Sequence, residues 1–262
     1  MIRALRTAAS GMHAQQMNLD TISNNLANVN TTSFKKSRVE FQDLIYQTTQ
    51  ASGSVRRLGT VVPTELQIGH GVKPVAIEKV HVQGSPTATY NDLDMAIEGD
   101  GFFQVRKADD TIAYTRDGSF KRSPDGRIVT SEGYTVYPEL ILPEDAMRVS
   151  ISRDGVLSVQ LVGATELVDI GRLELARFTN KEGLRSIGQN MYIESEASGP
   201  PIVGQAGMEG FGEIHQGYLE ASNVNVVEEM VNMITAQRAY EINSKAIKTA
   251  DEMMQQANQL KR

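Results

Sequence analysis

The sequence contains no cysteine and no tryptophan, and aromatic residues make up only 6% of its 262 residues. The absence of cysteine excludes disulfide bonds, thiolate nucleophiles and cysteine-ligated metals. No run of 18 apolar residues occurs, so we expect no membrane-spanning helix. The net charge of -6 is the opposite of the basic surface that nucleic-acid binding requires, so we expect no nucleic-acid partner. An acidic globular chain with an aliphatic core remains.

Signatures of catalysis are also scarce. The chain has four histidines: His13, His70, His81 and His215. None belongs to a His-Glu-x-x-His zinc motif, and there is no Gly-x-Ser-x-Gly nucleophile elbow. Acidic residues that precede glycine are explained by turn chemistry. We therefore predict a protein that is not an enzyme, without catalytic residues, metal site or cofactor.

The N-terminus also lacks a secretory signal. Charges at Arg3 and Arg6 are not followed by an unbroken apolar run, which a signal peptide requires. We expect a protein that stays inside the cell or leaves by a route that reads no cleavable signal.

The C-terminal stretch, 223–262, is 40 residues long and has no glycine or proline. At 1.5 Å per residue it can form one helix about 60 Å long. Asn225 is placed to cap its start, with Glu228 three residues later as in a capping box, and Lys261 and Arg262 suit the negative end of the helix dipole. Apolar residues cover more than a third of its circumference, which predicts partners on more than one side.

A second amphipathic helix is predicted from Met1 to about Asn28, about 40 Å long, with a thin apolar stripe. Thin stripes seldom hold a helix in isolation, so we expect the two terminal helices to pair with each other and with copies of themselves. The predicted interface residues of both helices are Ile2, Leu5, Met12, Leu19, Ile22, Leu26, Asn28, Val226, Met230, Met233, Ile234, Gln237, Tyr240, Ile247 and Met254.

From about Leu66 to Gly217 the pattern predicts β structure. Short apolar runs alternate with turn signals, among them Asp117-Gly118 and Asp154-Gly155. Residues 148–152 and 156–162 are predicted to form a hairpin, within one antiparallel sandwich or barrel-like domain. The fold class predicted is α+β, with an all-β domain inserted between long N- and C-terminal helices that form a coiled-coil-like assembly domain.

Several motifs, in order along nearly the whole chain, resemble those of the bacterial flagellar rod and hook proteins. One position departs from the family pattern: Ser33 stands where the family usually has glycine before an aromatic residue, and glycine there suggests a positive φ. The segments that carry the resemblance are 10–12, 24–31, 34–35, 98–103, 114–120, 217–220, 222–224, 228–234 and 237–241.

The resemblance implies a structural protein of the flagellar basal body. Residues 1–33 with 223–262 would form an inner tube, 34–68 an extended linker packed between subunits through Phe41, Leu44 and Tyr46, and 69–222 an outer β-rich domain. Many copies would assemble helically into a rigid hollow shaft, the rod that crosses the periplasm and transmits torque to the hook. The implied partners are copies of itself, the proximal rod proteins, the hook protein, the L-ring and P-ring proteins and the flagellar export apparatus.

The chain length and residues 66–72 fit the distal rod subunit better than other members of this family. Two alternatives stay open. Within the family, the chain could be a proximal rod or hook subunit. Outside it, a pocket lined by several acidic or histidine side chains would favour an enzyme or a soluble β-domain binding module. Read without the resemblance, residues 47–59 are typical of a flexible linker.

Overall fold

The computed structural model describes residues 2–50, 64–163 and 166–259. The chain forms two compact units, each built from separate stretches. Unit 1 comprises Met1–Ala27, Ser37–Lys79 and Asn225–Arg262, and unit 2 comprises Asn28–Lys36 and Val80–Val224. The division expected from the sequence, into 1–33 with 223–262, 34–68 and 69–222, concerns the assembled form and stays a prediction.

The fold is α+β, with a helix near each end of the chain and β structure between them, as predicted. The helices are α1 (Ile2–Ala27) and α2 (Val226–Gln259). The strands are β1 (Ser37–Asp43), β2 (Gln47–Gln50), β3 (Leu66–Ile68), β4 (Val72–Lys79), β5 (Pro86–Ala88), β6 (Met95–Glu98), β7 (Phe102–Arg106), β8 (Ile112–Thr115), β9 (Lys121–Arg122), β10 (Ile128–Val129), β11 (Thr135–Tyr137), β12 (Ala146–Ile151), β13 (Val156–Leu161), β14 (Leu167–Arg172), β15 (Glu174–Arg177), β16 (Arg185–Gly188), β17 (Met191–Ile193), β18 (Ile202–Gln205), β19 (Glu213–Gln216) and β20 (Tyr218–Glu220).

The start of α2 is capped as the sequence predicts. Asn225 Oδ1 accepts hydrogen bonds from the backbone N–H groups of Val227 and Glu228, at 3.0 and 3.4 Å. These bonds satisfy donors that a helix start otherwise leaves without partners. Lys261 and Arg262, predicted to suit the far end of the helix, lie outside the described residues.

Unit 1 contains β structure that begins at Ser37, earlier in the chain than the predicted start at about Leu66. Strand β1 pairs antiparallel with β4, from Ser37 opposite Lys79 to Asp43 opposite Val72. β2 pairs with β3, so strands begin well before residue 66. The segment 37–50, predicted to belong to an extended linker, is therefore largely strand; residues 51–63 of that linker lie outside the described residues.

Unit 2 holds the larger sheets, whose strand pairs are all antiparallel. β7 lies at the centre of a nine-stranded sheet, because β8 pairs with one side of it and β11 and β15 pair with the other. β12, β13 and β14 form a separate three-stranded meander, which contains the predicted hairpin. The single sandwich expected from the sequence is thus divided among several sheets.

Strand β7 is buried on both faces. Phe103 packs in the larger apolar cluster of unit 2, and the adjacent Phe102 packs in a smaller one with Tyr114 and Tyr192. A strand buried on both sides has no alternation of buried and exposed side chains, and four successive residues of β7, from Phe102 to Val105, are buried, the polar Gln104 among them. The larger cluster comprises Met95, Ile97, Phe103, Phe120, Ile128, Val136, Leu140, Leu142, Ile151, Leu157, Val159, Leu173, Leu175, Ala206, Phe211 and Ile214.

The two Asp-Gly pairs named from the sequence have different roles. Gly155, at a φ of 79°, makes the tight turn between β12 and β13, as predicted. Asp117-Gly118 is not such a turn, contrary to the prediction. A Cβ at Gly118 would overlap the carbonyl oxygen of Met95, so this glycine permits a close backbone approach.

Candidate self-assembly surface

The two helices of unit 1 pack against each other in antiparallel orientation. Asn25 of α1 donates a hydrogen bond from Nδ2 to Glu229 Oε2 of α2, at 3.2 Å. Further back along α1, a Cβ at Gly11 would lie 2.9 Å from Asn243 Nδ2. Advancing along α2 thus means moving back along α1, and Gly11 allows the two helices to approach closely.

Most of the apolar side chains buried on α1 and α2 are small. They are alanines on both helices, and Ile22 is the one large aliphatic side chain buried among the described helical residues. Small residues give close packing but little apolar area, and stability from burial scales with that area. The buried alanines are Ala8, Ala14, Ala236 and Ala250.

Asn25 joins three elements of unit 1. Besides Glu229, its Nδ2 donates to the carbonyl oxygen of Ser37 at 2.9 Å, and its Oδ1 accepts from the Ser37 N–H at 2.8 Å. The end of α1, the start of β1 and the first turn of α2 are thereby tied together. The Glu229 carboxylate is 4% exposed, and its position in the first turn of α2 places it at the positive end of the helix dipole.

Nine of the fifteen predicted interface residues are buried or partly covered in the subunit. Ile22 is 5% exposed, and the others of this group are partly covered. Asn28 belongs to unit 2, and the side chain of Ile2 lies outside the described part. The partly covered residues are Leu5, Met12, Leu19, Leu26, Asn28, Met233, Ile247 and Met254.

The other predicted interface residues are exposed, and they all lie on α2. Val226, Met230, Ile234 and Tyr240 are 39%, 51%, 55% and 40% exposed, and Gln237 is also exposed. All of these placements describe the free subunit, so their role as contacts between subunits stays a prediction.

The predicted set leaves out three further exposed apolar side chains of α2. Val227, Val231 and Ile242 are 71%, 54% and 66% exposed. With Met230 and Ile234 they make up the outer face of α2. The available signal was the width of the stripe, because a helix with apolar residues over more than a third of its surface has a second apolar face.

The outer face of α2 points away from α1. At 3.6 residues per turn, Val227, Val231 and Ile242 lie within about 60° of each other around the helix axis. Glu229 and Ala236, which are buried, lie on the opposite side. α2 is therefore apolar on two sides, and α1 covers one of them.

The predicted linker contacts are also accessible. Phe41 on β1 is 40% exposed, Tyr46 is 50% exposed and Leu44 is partly covered. Close by in sequence, Ile45 is 86% exposed. Unit 1 thus carries apolar surface on its strands as well as on α2.

The segment that follows α1, Asn28–Lys36, belongs to unit 2. Ser33 has a φ of 56°, the conformation that the glycine usual in the resembling family would favour. Its Oγ donates to the carbonyl oxygen of Arg116 at 2.7 Å, and its N–H donates to that of Glu220 at 2.8 Å. The serine therefore keeps the turn geometry through its own hydrogen bonds.

No helix among the described residues is long and apolar enough to cross a membrane. Within the same part of the chain, no group of three or more His, Asp or Glu side chains is arranged to hold a metal ion.

Comparison with known protein families gives three matches in the order of the chain. The families are described as "Flagella basal body rod protein", matching residues 5–35, "Flagellar hook protein FlgE/F/G D1 domain", matching residues 96–159, and "Flagellar basal body rod FlgEFG protein C-terminal", matching residues 215–260. The first and last cover most of α1 and α2. The class these matches define is that of flagellar rod and hook proteins.

Individual relatives narrow this class. The flagellar basal-body rod protein FlgG of Buchnera aphidicola subsp. Acyrthosiphon pisum is 50% identical, over 99% of this chain and 100% of the relative. FlgG of Caulobacter vibrioides is 47% identical over the same shares, whereas the flagellar basal-body rod protein FlgF of that organism is 33% identical over 98% of this chain and 97% of the relative. The chain belongs to the flagellar basal-body rod protein family.

Proposed function

We propose that this chain is the structural subunit of the distal rod of the bacterial flagellum, and that it works through assembly. Copies join helically into a rigid hollow shaft that transmits motor torque to the hook. Greater identity to relatives named FlgG than to the one named FlgF supports the distal rod over another position in the axial structure.

The observation that carries the proposal is the outer face of α2. Burying one valine or isoleucine side chain fully stabilises by about 1.5 to 3 kcal/mol, and this face leaves several of them in solvent. α1 already occupies the opposite side of α2, so in this proposal the cover comes from another copy of the chain. A contact between unlike surfaces of identical copies generates a helical array when its rotation does not close into a ring.

The proposed arrangement places the terminal helices in the inner tube and the β-rich region outside. The segment 34–68 packs between subunits, using Phe41, Leu44 and Tyr46. The further partners are the proximal rod proteins, the hook protein, the surrounding L-ring and P-ring proteins and the flagellar export apparatus. The subunit resides in the basal body, in the rod that crosses the periplasm.

The proposal is tested by electron microscopy of concentrated purified protein. We expect the wild type to form tubes, and Val231→Asp and Ile234→Asp to abolish them, because a carboxylate on the outer face cannot be buried without a partner. Both positions are more than half exposed, so the circular dichroism spectrum and unfolding midpoint of the monomer should stay unchanged.

Val168→Asp is the matched control. Val168 is a valine on β14 of unit 2 and is 48% exposed, so it receives the same chemical change at similar accessibility, on a strand of the other unit. This variant should form tubes like the wild type. Tubes formed by both α2 variants as readily as by the wild type would contradict the proposal.

A further inference from the structure

Asn223 lies where several parts of the chain pass between the units. The backbone crosses from one unit to the other four times, after residues 27, 36, 79 and 224. Lys36, Val80 and Asn223 are unit 2 residues at or next to three of these crossings. The contacts among these three residues all lie inside unit 2. They decide whether the segments next to the crossings can become ordered separately.

The three crossings are hydrogen-bonded to one another. Asn223 Oδ1 accepts from the Lys36 N–H at 2.8 Å, and Asn223 Nδ2 donates to the carbonyl oxygens of Val80 at 2.8 Å and Val82 at 3.0 Å. The Val80 N–H donates to the Lys36 carbonyl oxygen at 2.9 Å, and the Asn223 N–H to that of Phe34 at 3.3 Å. The side-chain NH2 group of Asn223 thus donates to the segment after β4, and its carbonyl oxygen accepts from the segment after α1.

A buried group of charges lies beside Asn223. Lys35 and Glu220 are each 1% exposed and Arg116 is 6% exposed. Glu220 Oε1 accepts from Lys35 Nζ and from the Gly84 N–H at 2.8 Å, while Glu220 Oε2 accepts from Arg116 Nη1 at 3.2 Å. We call Lys35, Arg116, Glu220 and Asn223 the closure site.

The charges of the closure site come from three distant parts of the sequence. Lys35 lies in the segment after α1, Arg116 follows β8, and Glu220 ends β20, which is 185 residues from Lys35. One carboxylate therefore faces two buried cations. Burial lowers the pKa of Lys35 and the Glu220 carboxylate opposes that effect, so Glu220 is what allows Lys35 to be buried while charged.

We propose that the closure site couples the two ends of unit 2, so that the segment 28–36 and the stretch 217–224 become ordered together or not at all. Without Glu220, Lys35 loses its ion pair with a buried carboxylate, and without Asn223, the Lys36 backbone N–H loses its hydrogen bond to Asn223 Oδ1. A chain whose residues near 220 are not yet in place therefore leaves the segment after α1 undocked. The coupling is a property of the single subunit and does not depend on the proposed assembly.

Hydrogen exchange on the full-length monomer tests the coupling in both directions. Glu220→Gln and Asn223→Ala should each raise exchange at the amides of Ser33, Lys36 and Val80 by about tenfold or more, since each loss of about 1.4 kcal/mol of local stability gives a factor of ten. Lys35→Met should raise exchange at Ala221 and Asn223, although it leaves Arg116 and Glu220 as a balanced pair.

Two readouts separate coupling from general destabilisation. Amides of β13, which lies in the three-stranded meander, should exchange at the wild-type rate in all variants. Glu213→Gln is the matched control, because it removes a carboxylate from an exposed pair with Arg153 at 3.7 Å and should change neither end. The proposal would be overturned if exchange rose only in the segment, 28–36 or 217–224, that carries the substitution. It would also be overturned if exchange in β13 rose as much as in these segments.

Discussion

Unit 1 and unit 2 treat their apolar side chains in opposite ways. Both apolar clusters found among the described residues lie in unit 2, where Phe103 and Leu175 are 1% and 0% exposed. In unit 1 the apolar side chains buried on the helices are mostly alanines, and Val231 and Ile242 remain in solvent. Unit 2 is therefore stabilised mainly from within, whereas unit 1 has apolar surface left over.

The difference matters for the proposed assembly, because it assigns stability to one unit and contacts between subunits to the other. Ordering the backbone costs about 1 to 2 kcal/mol per residue, and only burial on a comparable scale offsets that cost. Unit 2 has such burial in the isolated chain. In the proposed assembly, unit 1 would gain it when another copy covers the outer face of α2, so we expect its helices to be the less stable part of the free monomer.

The test of this comparison with the largest expected effect truncates a side chain in the larger apolar cluster of unit 2. Phe103→Ala should lower the free energy of unfolding by about 3 to 5 kcal/mol, because it leaves a cavity in a buried cluster. The ring also loses its edge-to-face contact with Phe120, at 5.2 Å between centroids. Urea unfolding followed by circular dichroism measures the loss.

The matched truncation in unit 1 is Ile234→Ala. Ile234 is 55% exposed, so we expect a change within about 0.5 kcal/mol in the monomer. Similar losses for the two variants would show that the outer face of α2 is already covered in the free subunit, and the contrast between the units would fail.

A second test uses alkaline pH, and its expected effect is smaller. Burial raises the pKa of Tyr192 to about 12, with a further contribution from the charge of Glu220. The folded state thus favours the neutral phenol, so its stabilising contribution is complete below pH 10 and is lost as the pH rises to 12. The loss amounts to about 2 to 3 kcal/mol.

Tyr192→Phe isolates this contribution. Between pH 10 and 12 the unfolding free energy of the variant should fall less steeply than that of the wild type, in urea titrations at several pH values. Burial also raises the pKa of Tyr114 to about 12, so part of the slope should remain. Identical slopes for variant and wild type would mean that the Tyr192 hydroxyl is not buried as the structure has it.

Features that depend on near neighbours in the sequence were predictable. The periodicity of α1 and α2, the cap at Asn225 and the hairpin of β12 and β13 each lie within a few residues of their own signal. β1 was missed because its partner β4 lies about 30 residues away and its own period is mixed. Pairing with a distant strand overrode local propensity there.

The sequence predicted which residues of α2 are apolar. It did not predict which side of the helix α1 covers and which side stays exposed. Met233 and Val231 both belong to the apolar pattern of α2, yet the former is partly covered and the latter is exposed. Which stripe α1 covers depends on the register between the helices, which Asn25 and Glu229 help to fix. The docking of 28–36 in unit 2 was not predictable for a similar reason, since Glu220 is far away in sequence.

The test with the smallest expected effect concerns the segment 28–36 and changes Ser33, whose backbone has a positive φ. Ser33→Ala keeps a side chain at a φ of 56° and loses the hydrogen bond to the Arg116 carbonyl oxygen, so it should destabilise by about 1 to 2 kcal/mol. Ser33→Gly loses the same bond but relieves the backbone, so it should lie within about 0.5 kcal/mol of the wild type. Gln189→Gly, an exposed residue at a φ of 55°, measures the backbone gain alone. Urea unfolding that ranks alanine level with glycine at position 33 would mean that the segment is not held in this conformation, and 28–36 would then no longer belong with the well-packed unit.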